Sequence, residues 1–257
     1  MPFVVVASQR IEYQRIEAGG PGRPTLVFLH EGLGSVAMWR DFPELAAGRA
    51  GCDAVVYSRL GYGRSDPIPG PREVGFMHQE ALESLPRLLD ALAIERPVLV
   101  GHSDGGSIAL VCAGAGVRPL SGLVLMAAHV MVEDVTVESI AAARRAYETG
   151  DLRARLARYH ADVDATFHGW ARIWLHPDFR RWNIEEFLPR VACPVLAIQG
   201  EDDEYGTRAQ LDRIAGAVPD AEILELKDCR HSPHRDQPEA VLAALEAFVD
   251  RIAEGGR

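Results

Sequence analysis

The 257-residue sequence has no low-complexity tract and no self-similar period of 20–50 residues, which excludes disordered, fibrous and solenoid classes. Its cysteines are few. Cys52, Cys112, Cys193 and Cys229 form no CxxC pair and have no zinc-like spacing, so neither a disulfide framework nor a structural metal is expected. The first three sit in apolar stretches and read as small buried hydrophobes, whereas Cys229 lies in a polar loop. Basic charge is also short: 27 Lys and Arg against 37 Asp and Glu leave a net charge of −10. Such a surface argues against nucleic acid and anionic membranes, where clustered cations must neutralise phosphates. No apolar run reaches 18 residues; the best, Gly122 to Val132, is too short and contains His129. Met1-Pro2-Phe3-Val4 lacks the basic segment of a signal peptide, so a reduced, cytoplasmic location is expected. With 47% hydrophobic and 25% charged residues, a soluble globular chain with a substantial core remains.

Six short apolar runs read as strands: Leu26–Leu29, Ala54–Tyr57, Pro97–Val100, Gly122–Met126, Val195–Ile198 and Glu222–Leu226. Helical patterns separate most of them, around Val36–Ala47, Phe76–Ala93, Gly105–Ala115, Thr207–Val218 and Pro238–Ile252. Strands apolar on both faces that alternate with helices predict an α/β fold, a mostly parallel, doubly wound sheet covered on both sides. Phe3–Ala7 and Ile11–Ile16 read as extended segments that could pair as an antiparallel edge.

Between the strands ending near 126 and starting near 195 the alternation stops. Residues 133–189 hold Ala-, Arg- and Leu-rich helical patterns with no convincing strand, and three of the four tryptophans, Trp170, Trp174 and Trp182. Such a stretch is far longer than a normal crossover, which predicts an all-helical cap inserted after the sixth strand into a core of 1–132 and 190–257. Trp170 and Trp174 share one helix face, which suits either packing or the wall of a cleft.

Strand Val98-Leu99-Val100 runs into Gly101-His102-Ser103-Asp104-Gly105-Gly106 and then a helical pattern. This is G-x-S-x-G, in which glycines permit a sharp strand-to-helix turn that exposes the serine at a helix N-terminus. A serine hydroxyl needs an imidazole to take its proton, and the imidazole needs an acceptor to fix its tautomer. Both follow in later loops. Glu201-Asp202-Asp203-Glu204 ends one strand, and Lys227-Asp228-Cys229-Arg230-His231-Ser232-Pro233-His234 follows the next. Asp236-Gln237-Pro238-Glu239 reads as a capping box for the last helix. Within these loops the acid is open among Asp202, Asp203 and Glu204, and the base between His231 and His234.

With these motifs in place, the chain resembles the α/β-hydrolase superfamily over nearly its whole length. Leu29-His30-Glu31-Gly32-Leu33-Gly34-Ser35 resembles that family's oxyanion loop, and Arg59-Leu60-Gly61-Tyr62-Gly63-Arg64-Ser65 its D-x-R-G-x-G-x-S turn. Val195 to Asp203 is similar to the strand ending G-x-x-D, and His231 before Asp236-Gln237-Pro238 to the H…E-x-P segment. The resemblance implies Ser103 as nucleophile, Asp203 as acid and His231 as base. It also implies an oxyanion hole from the backbone N–H groups of Gly32 and Asp104, with 133–189 as the cap and no metal or organic cofactor.

Two departures bear on substrate. Glu31 stands where the family usually has Gly, and Asp104 where many members have Met or Gln. Asp104 is similar to the arrangement in valacyclovir-hydrolase-type enzymes, and the whole has some likeness to enol-lactonase-type members. If both carboxylates face the nucleophile, a neutral or cationic small molecule is preferred over an anion. If they are bonded to loop backbone, as Asp often is at helix starts, they say nothing about substrate. Glu31, Leu33, His102, His129, Trp170 and Trp174 are the candidate substrate-binding residues. The expected function is a serine esterase (carboxylesterase-like) acting on a small carboxylic ester, thioester or lactone through an acyl-enzyme. A lyase or C–C bond hydrolase and a non-catalytic receptor are the alternatives on this fold. As an assembly, the chain admits a homodimer.

Overall fold

The computed structural model describes residues 2–255. Eight strands form one sheet: β1 (Phe3–Val6), β2 (Gln9–Ile16), β3 (Leu26–Leu29), β4 (Ala54–Tyr57), β5 (Val98–His102), β6 (Gly122–Met126), β7 (Val195–Gly200) and β8 (Glu222–Leu226). Their order is β1-β2-β4-β3-β5-β6-β7-β8. β1 and β2 form an antiparallel hairpin and β2 lies antiparallel to β4, while β3 to β8 are parallel. Ala7 and Ser8 turn the hairpin with positive φ at both positions, the geometry whose twist matches that of paired strands.

Every residue of β3 to β7 is buried, because alternate side chains enter two separate cores. Val27, Leu29, Leu99, Leu123 and Leu125 face one core. On that side lie α2 (Phe76–Gln79), α3 (Leu85–Ala91), α4 (Asp104–Ala115), α8 (Ala209–Ala217) and the helical insertion. Leu26, Phe28, Val98, Val100, Val124 and Met126 face the other, covered by α1 (Phe42–Ala50) and α10 (Pro238–Gly255). A short α9 (Pro233–Asp236) precedes α10. This is the α/β, mostly parallel, doubly wound architecture expected from the apolar runs.

Three local expectations are corrected. The pattern at Val36–Ala47 is not one helix: a 3-10 turn over Val36–Trp39 ends at Arg40, whose φ of 55° breaks it before α1. Ser58 Oγ accepts the Val36 N–H at 2.9 Å and pins that turn to the end of β4. The pattern at Phe76–Ala93 contains a π-helical turn, Glu80–Ser84, between α2 and α3. Pro86, with no N–H to give to the preceding turn, accounts for the change of pitch. Asp236 is not a capping residue for α10; its carboxylate accepts the Arg230 N–H at 2.8 Å instead.

Between β6 and β7 the chain forms α5 (Asp134–Thr149), α6 (Leu152–Leu156), α7 (Val163–Trp174) and two 3-10 turns, Pro177–Arg181 and Glu185–Arg190. Its start is sewn to the loop after β7: Thr136 Oγ1 donates to Tyr205 O at 2.5 Å and Ser139 Oγ to Glu204 O at 2.5 Å. The Glu133 carboxylate accepts from Thr207 N–H at 2.9 Å and Gln210 Nε2 at 2.6 Å. Its middle is tied to the loop after β4. Thr166 Oγ1 donates to Gly61 O at 2.8 Å, Ala161 N–H to Gly63 O at 2.8 Å, and Gly63 N–H to His160 Nδ1 at 3.0 Å. No helix among the described residues is long and apolar enough to cross a membrane.

Candidate active site

Ser103 joins β5 to α4 with φ 52° and ψ −118°, a conformation that costs a non-glycine residue roughly 1–3 kcal/mol. The flanking glycines make room for it. A Cβ on Gly101 would meet Gly105 O at 2.5 Å, and one on Gly105 would meet Leu29 O at 2.1 Å. Any side chain there would force β5, α4 and the end of β3 apart. The Ser103 hydroxyl therefore projects from the carboxyl edge of the sheet at the head of a 12-residue helix.

Loops after β7 and β8 meet it there. His231 Nε2 lies 3.0 Å from Ser103 Oγ, and His231 Nδ1 lies 2.7 Å from Asp203 Oδ1. A carboxylate can only accept, so Nδ1 carries the proton and Nε2 turns its lone pair to the hydroxyl. Asp203 is itself held, accepting the Tyr205 N–H at 2.9 Å and Gln199 Nε2 at 3.3 Å. Burial raises its pKa, but the His231 hydrogen bond and charge outweigh this and leave it below the ordinary carboxylate value. Burial lowers that of His231, and the Asp203 bond and charge, with Glu204 and Glu31 beyond, lift it above the usual imidazole value.

The neighbouring candidates do other things. Glu204 Oε2 accepts the His231 backbone N–H at 3.1 Å and so fixes the loop. Asp202 is exposed, and its backbone N–H donates to Cys229 O. His234 is buried on the far side, 4.8 Å from the Trp39 ring, and burial holds its pKa well below 6.5. Cys229 is fully buried, its thiol pushed up to about 12, first by burial.

The cavity at Ser103 measures about 190 Å³ and is lined mainly by Leu33, Met38, Ile140, Leu156, Trp170 and Trp174, with Glu31, Gly32, His129, Thr136, Tyr205 and His231. His129 is neutral there: burial, then the neighbouring His231, brings its pKa down to about 3. His102 lies outside the lining, donating Nε2–H to His231 O at 2.7 Å. The two questioned carboxylates part company. Glu31 reaches the cavity, its Oε2 3.6 Å from His102 Nδ1. Burial raises its pKa, yet His102 and then Arg235 hold it well below the ordinary value, so it is ionised. Asp104 does not reach the cavity, nor is its carboxylate spent on loop backbone. It accepts Trp174 Nε1–H at 3.2 Å and lies 3.9 Å from buried Arg59, with burial raising its pKa. The backbone N–H groups of Gly32 and Asp104 have no acceptor among the described residues.

Met38, Thr136, Ile140, Leu156, Tyr205, Gln199 and Arg59 did not stand out in the sequence reading. Only Arg59 had a local signal, its place in the turn motif after β4. Among the described residues no group of three or more His, Cys, Asp or Glu is set to hold a metal ion. A larger cavity, about 510 Å³, lies against the other face of α7 beside Ile68, Pro71, Arg72 and Arg172, and contains no part of the Ser103–His231–Asp203 chain. Chemistry rather than volume selects the smaller one.

Known proteins share this fold and family. A 2-succinyl-6-hydroxy-2,4-cyclohexadiene-1-carboxylate synthase from Salmonella paratyphi A is 31% identical over 270 residues, covering 90% of this chain and 96% of that one. The crystal structure of a proline iminopeptidase from Mycobacterium smegmatis superposes with a TM-score of 0.79 at 20% identity, covering 100% of this chain and 99% of the other. The enol-lactonase from Burkholderia xenovorans LB400 does so at 0.76 and 20% identity, covering 97% and 100%. The last two show a shared fold. Residues 26–244 match the model of the alpha/beta hydrolase family, and the chain belongs to that family.

Proposed function

We propose that this alpha/beta hydrolase is a serine hydrolase cleaving a small carboxylic ester, thioester or lactone through an acyl-enzyme. The observation that carries this reading is the continuous path Asp203 Oδ1, His231 Nδ1, His231 Nε2, Ser103 Oγ, with separations of 2.7 and 3.0 Å. Ser103 attacks the carbonyl carbon while His231 takes its proton. The tetrahedral oxyanion is received by the N–H groups of Gly32 and Asp104. His231 then protonates the leaving group and draws a proton from the water that releases the acid. Residues 133–189 act as the cap, with Trp170 and Trp174 walling the site.

A cavity of about 190 Å³ suits a short acyl group. Glu31, the single ionised carboxylate in its lining, favours a neutral or cationic substrate over an anionic one. p-Nitrophenyl acetate and butyrate test the reading, with Ser103→Ala as control: equal turnover by both proteins would sink it. A lyase or C–C bond hydrolase is the second reading, favoured by the 31% identical relative named as a synthase. It predicts that a fluorophosphonate labels Ser103 while activated esters go unhydrolysed.

A further inference from the structure

Arg59 is the largest fully buried side chain among the described residues, and nothing in the proposed proton transfers uses it. Its guanidinium closes over the loop after β3: Nη1 donates to His30 O and Nη2 to Glu31 O at 3.0 Å. Its own backbone N–H donates to His30 Nε2 at 3.0 Å. His30 therefore carries its proton on Nδ1, which donates to the same Glu31 O at 2.6 Å. Burial and then Arg59 keep that imidazole neutral, well below 6.5. The Gly34 N–H adds a further bond to Glu31 O at 3.1 Å. One carbonyl thus accepts three donors.

Glu31 C=O and Gly32 N–H belong to one planar trans peptide, so the N–H points away from the loaded carbonyl, and polarising one end strengthens the other. The second donor also depends on Arg59. Asp104 supplies its N–H to the oxyanion hole, yet its carboxylate, when ionised, would oppose a negative charge growing nearby. Arg59 Nη2, 3.9 Å from Asp104 Oδ2, offsets that charge.

We infer that Arg59 is the positioning residue of the oxyanion hole, a single buried cation that orients and polarises the Gly32 peptide and neutralises the carboxylate attached to the Asp104 peptide. Arg59 touches no substrate and acts only through these two groups. The inference rests on the serine-hydrolase reading and assigns a part of that machinery which the triad does not contain.

The experiment measures p-nitrophenyl butyrate turnover and inhibition by butylboronic acid, whose tetrahedral Ser103 adduct mimics the charged intermediate. In Arg59→Met, kcat falls by about 10²–10³, the scale of losing one oxyanion donor, with KM little changed. The boronate inhibition constant rises by the same factor. Arg59→Lys, which keeps charge but not the fork across two carbonyls, falls between. A folded Arg59→Met with full kcat overturns the inference, as does a fall in kcat that leaves boronate affinity unmoved. Should Arg59→Met fail to fold, His30 decides. His30→Asn, which retains a donor near the Nδ1 position, recovers activity that His30→Leu loses; equal loss in both overturns the inference. Ser103→Ala run in parallel separates the two levels. If it matches wild type, the hydrolase reading falls; if it is inert while Arg59→Met keeps full kcat, only the Arg59 assignment falls.

Discussion

Trp170 Nε1 lies directly over Gly32, so close that a Cβ on Gly32 would meet it at 2.1 Å. The indole of α7 and the proposed oxyanion peptide therefore share one small space. Gly32→Ala must push either the loop or the indole aside. Its kcat for p-nitrophenyl butyrate should fall by about 10²-fold, comparable to removing an oxyanion donor. Unchanged kcat in the alanine variant would show that turnover does not depend on the close seating of the indole on the Gly32 peptide.

Ser103→Ala and His231→Ala should each lower turnover by about four to six orders of magnitude, with little further loss in the double variant, because the groups act as a unit. Asp203→Asn should cost about 10⁴, since the amide can hold the wrong tautomer. Initial rates corrected for the uncatalysed reaction measure this. A mild effect at Asp203 with a severe one at Glu204 would reassign the acid.

Activity should follow the protonation of His231. Its pKa is lifted above the ordinary value of about 6.5, so kcat/KM should fall as pH drops through a limb lying above that value. The Asp203 hydrogen bond and charge supply the lift, so in Asp203→Asn the residual activity should lose its limb to lower pH. A limb that stays in place would detach Asp203 from the titration.

Stability should respond to acid in the other sense. His30, His129, His160 and His234 all have pKa values lowered, chiefly by burial. Below about 6.5 the unfolded chain binds protons that the folded one refuses, so stability is lost as pH falls. His129, at about 3 in the fold, alone costs about 2 kcal/mol at pH 5. His231 runs oppositely: its raised pKa contributes stability that is present at low pH and lost as pH rises through the folded value. Urea midpoints from pH 8 to 5 should fall, and His234→Leu should flatten the slope.

Glu31 should read substrate charge. An aminoacyl p-nitrophenyl ester should be cleaved about tenfold faster, in kcat/KM, than its N-acetylated analogue, a difference of roughly 1.4 kcal/mol. Glu31→Gln should erase the preference. Faster cleavage of the acetylated ester by wild type would remove Glu31 from substrate recognition.

The sheet was legible because both of its faces are buried: Leu26–Leu29, Ala54–Tyr57 and Gly122–Met126 are apolar throughout and bounded by polar or glycine residues. Ser103, Asp203 and His231 each lie in a segment that follows a strand, and chain order brings those segments to one edge; within their loops, the family resemblance singled out Asp203 and His231. What the sequence withheld depends on tertiary contact. Glu31 and Asp104 look alike as carboxylates near the nucleophile, yet one lines the cavity and the other is spent on Trp174 and Arg59. No local pattern shows where the Arg59 guanidinium, which starts at the end of β4, will reach. The break at Arg40 was equally hidden, since positive φ at an arginine follows from packing rather than propensity.

The stitching of the helical insertion has a consequence for traffic. At α5 it is bonded to the very loop that carries Asp203, through Tyr205 O and Glu204 O. At α7 it is bonded to the loop after β4, through Thr166 to Gly61 O. Swinging it open as a hinged lid would break bonds at both ends and disturb the carboxylate that holds His231. A rigid swing of the insertion therefore costs both sets of bonds, a cost that rotation of a single cavity-lining side chain such as Met38 does not carry.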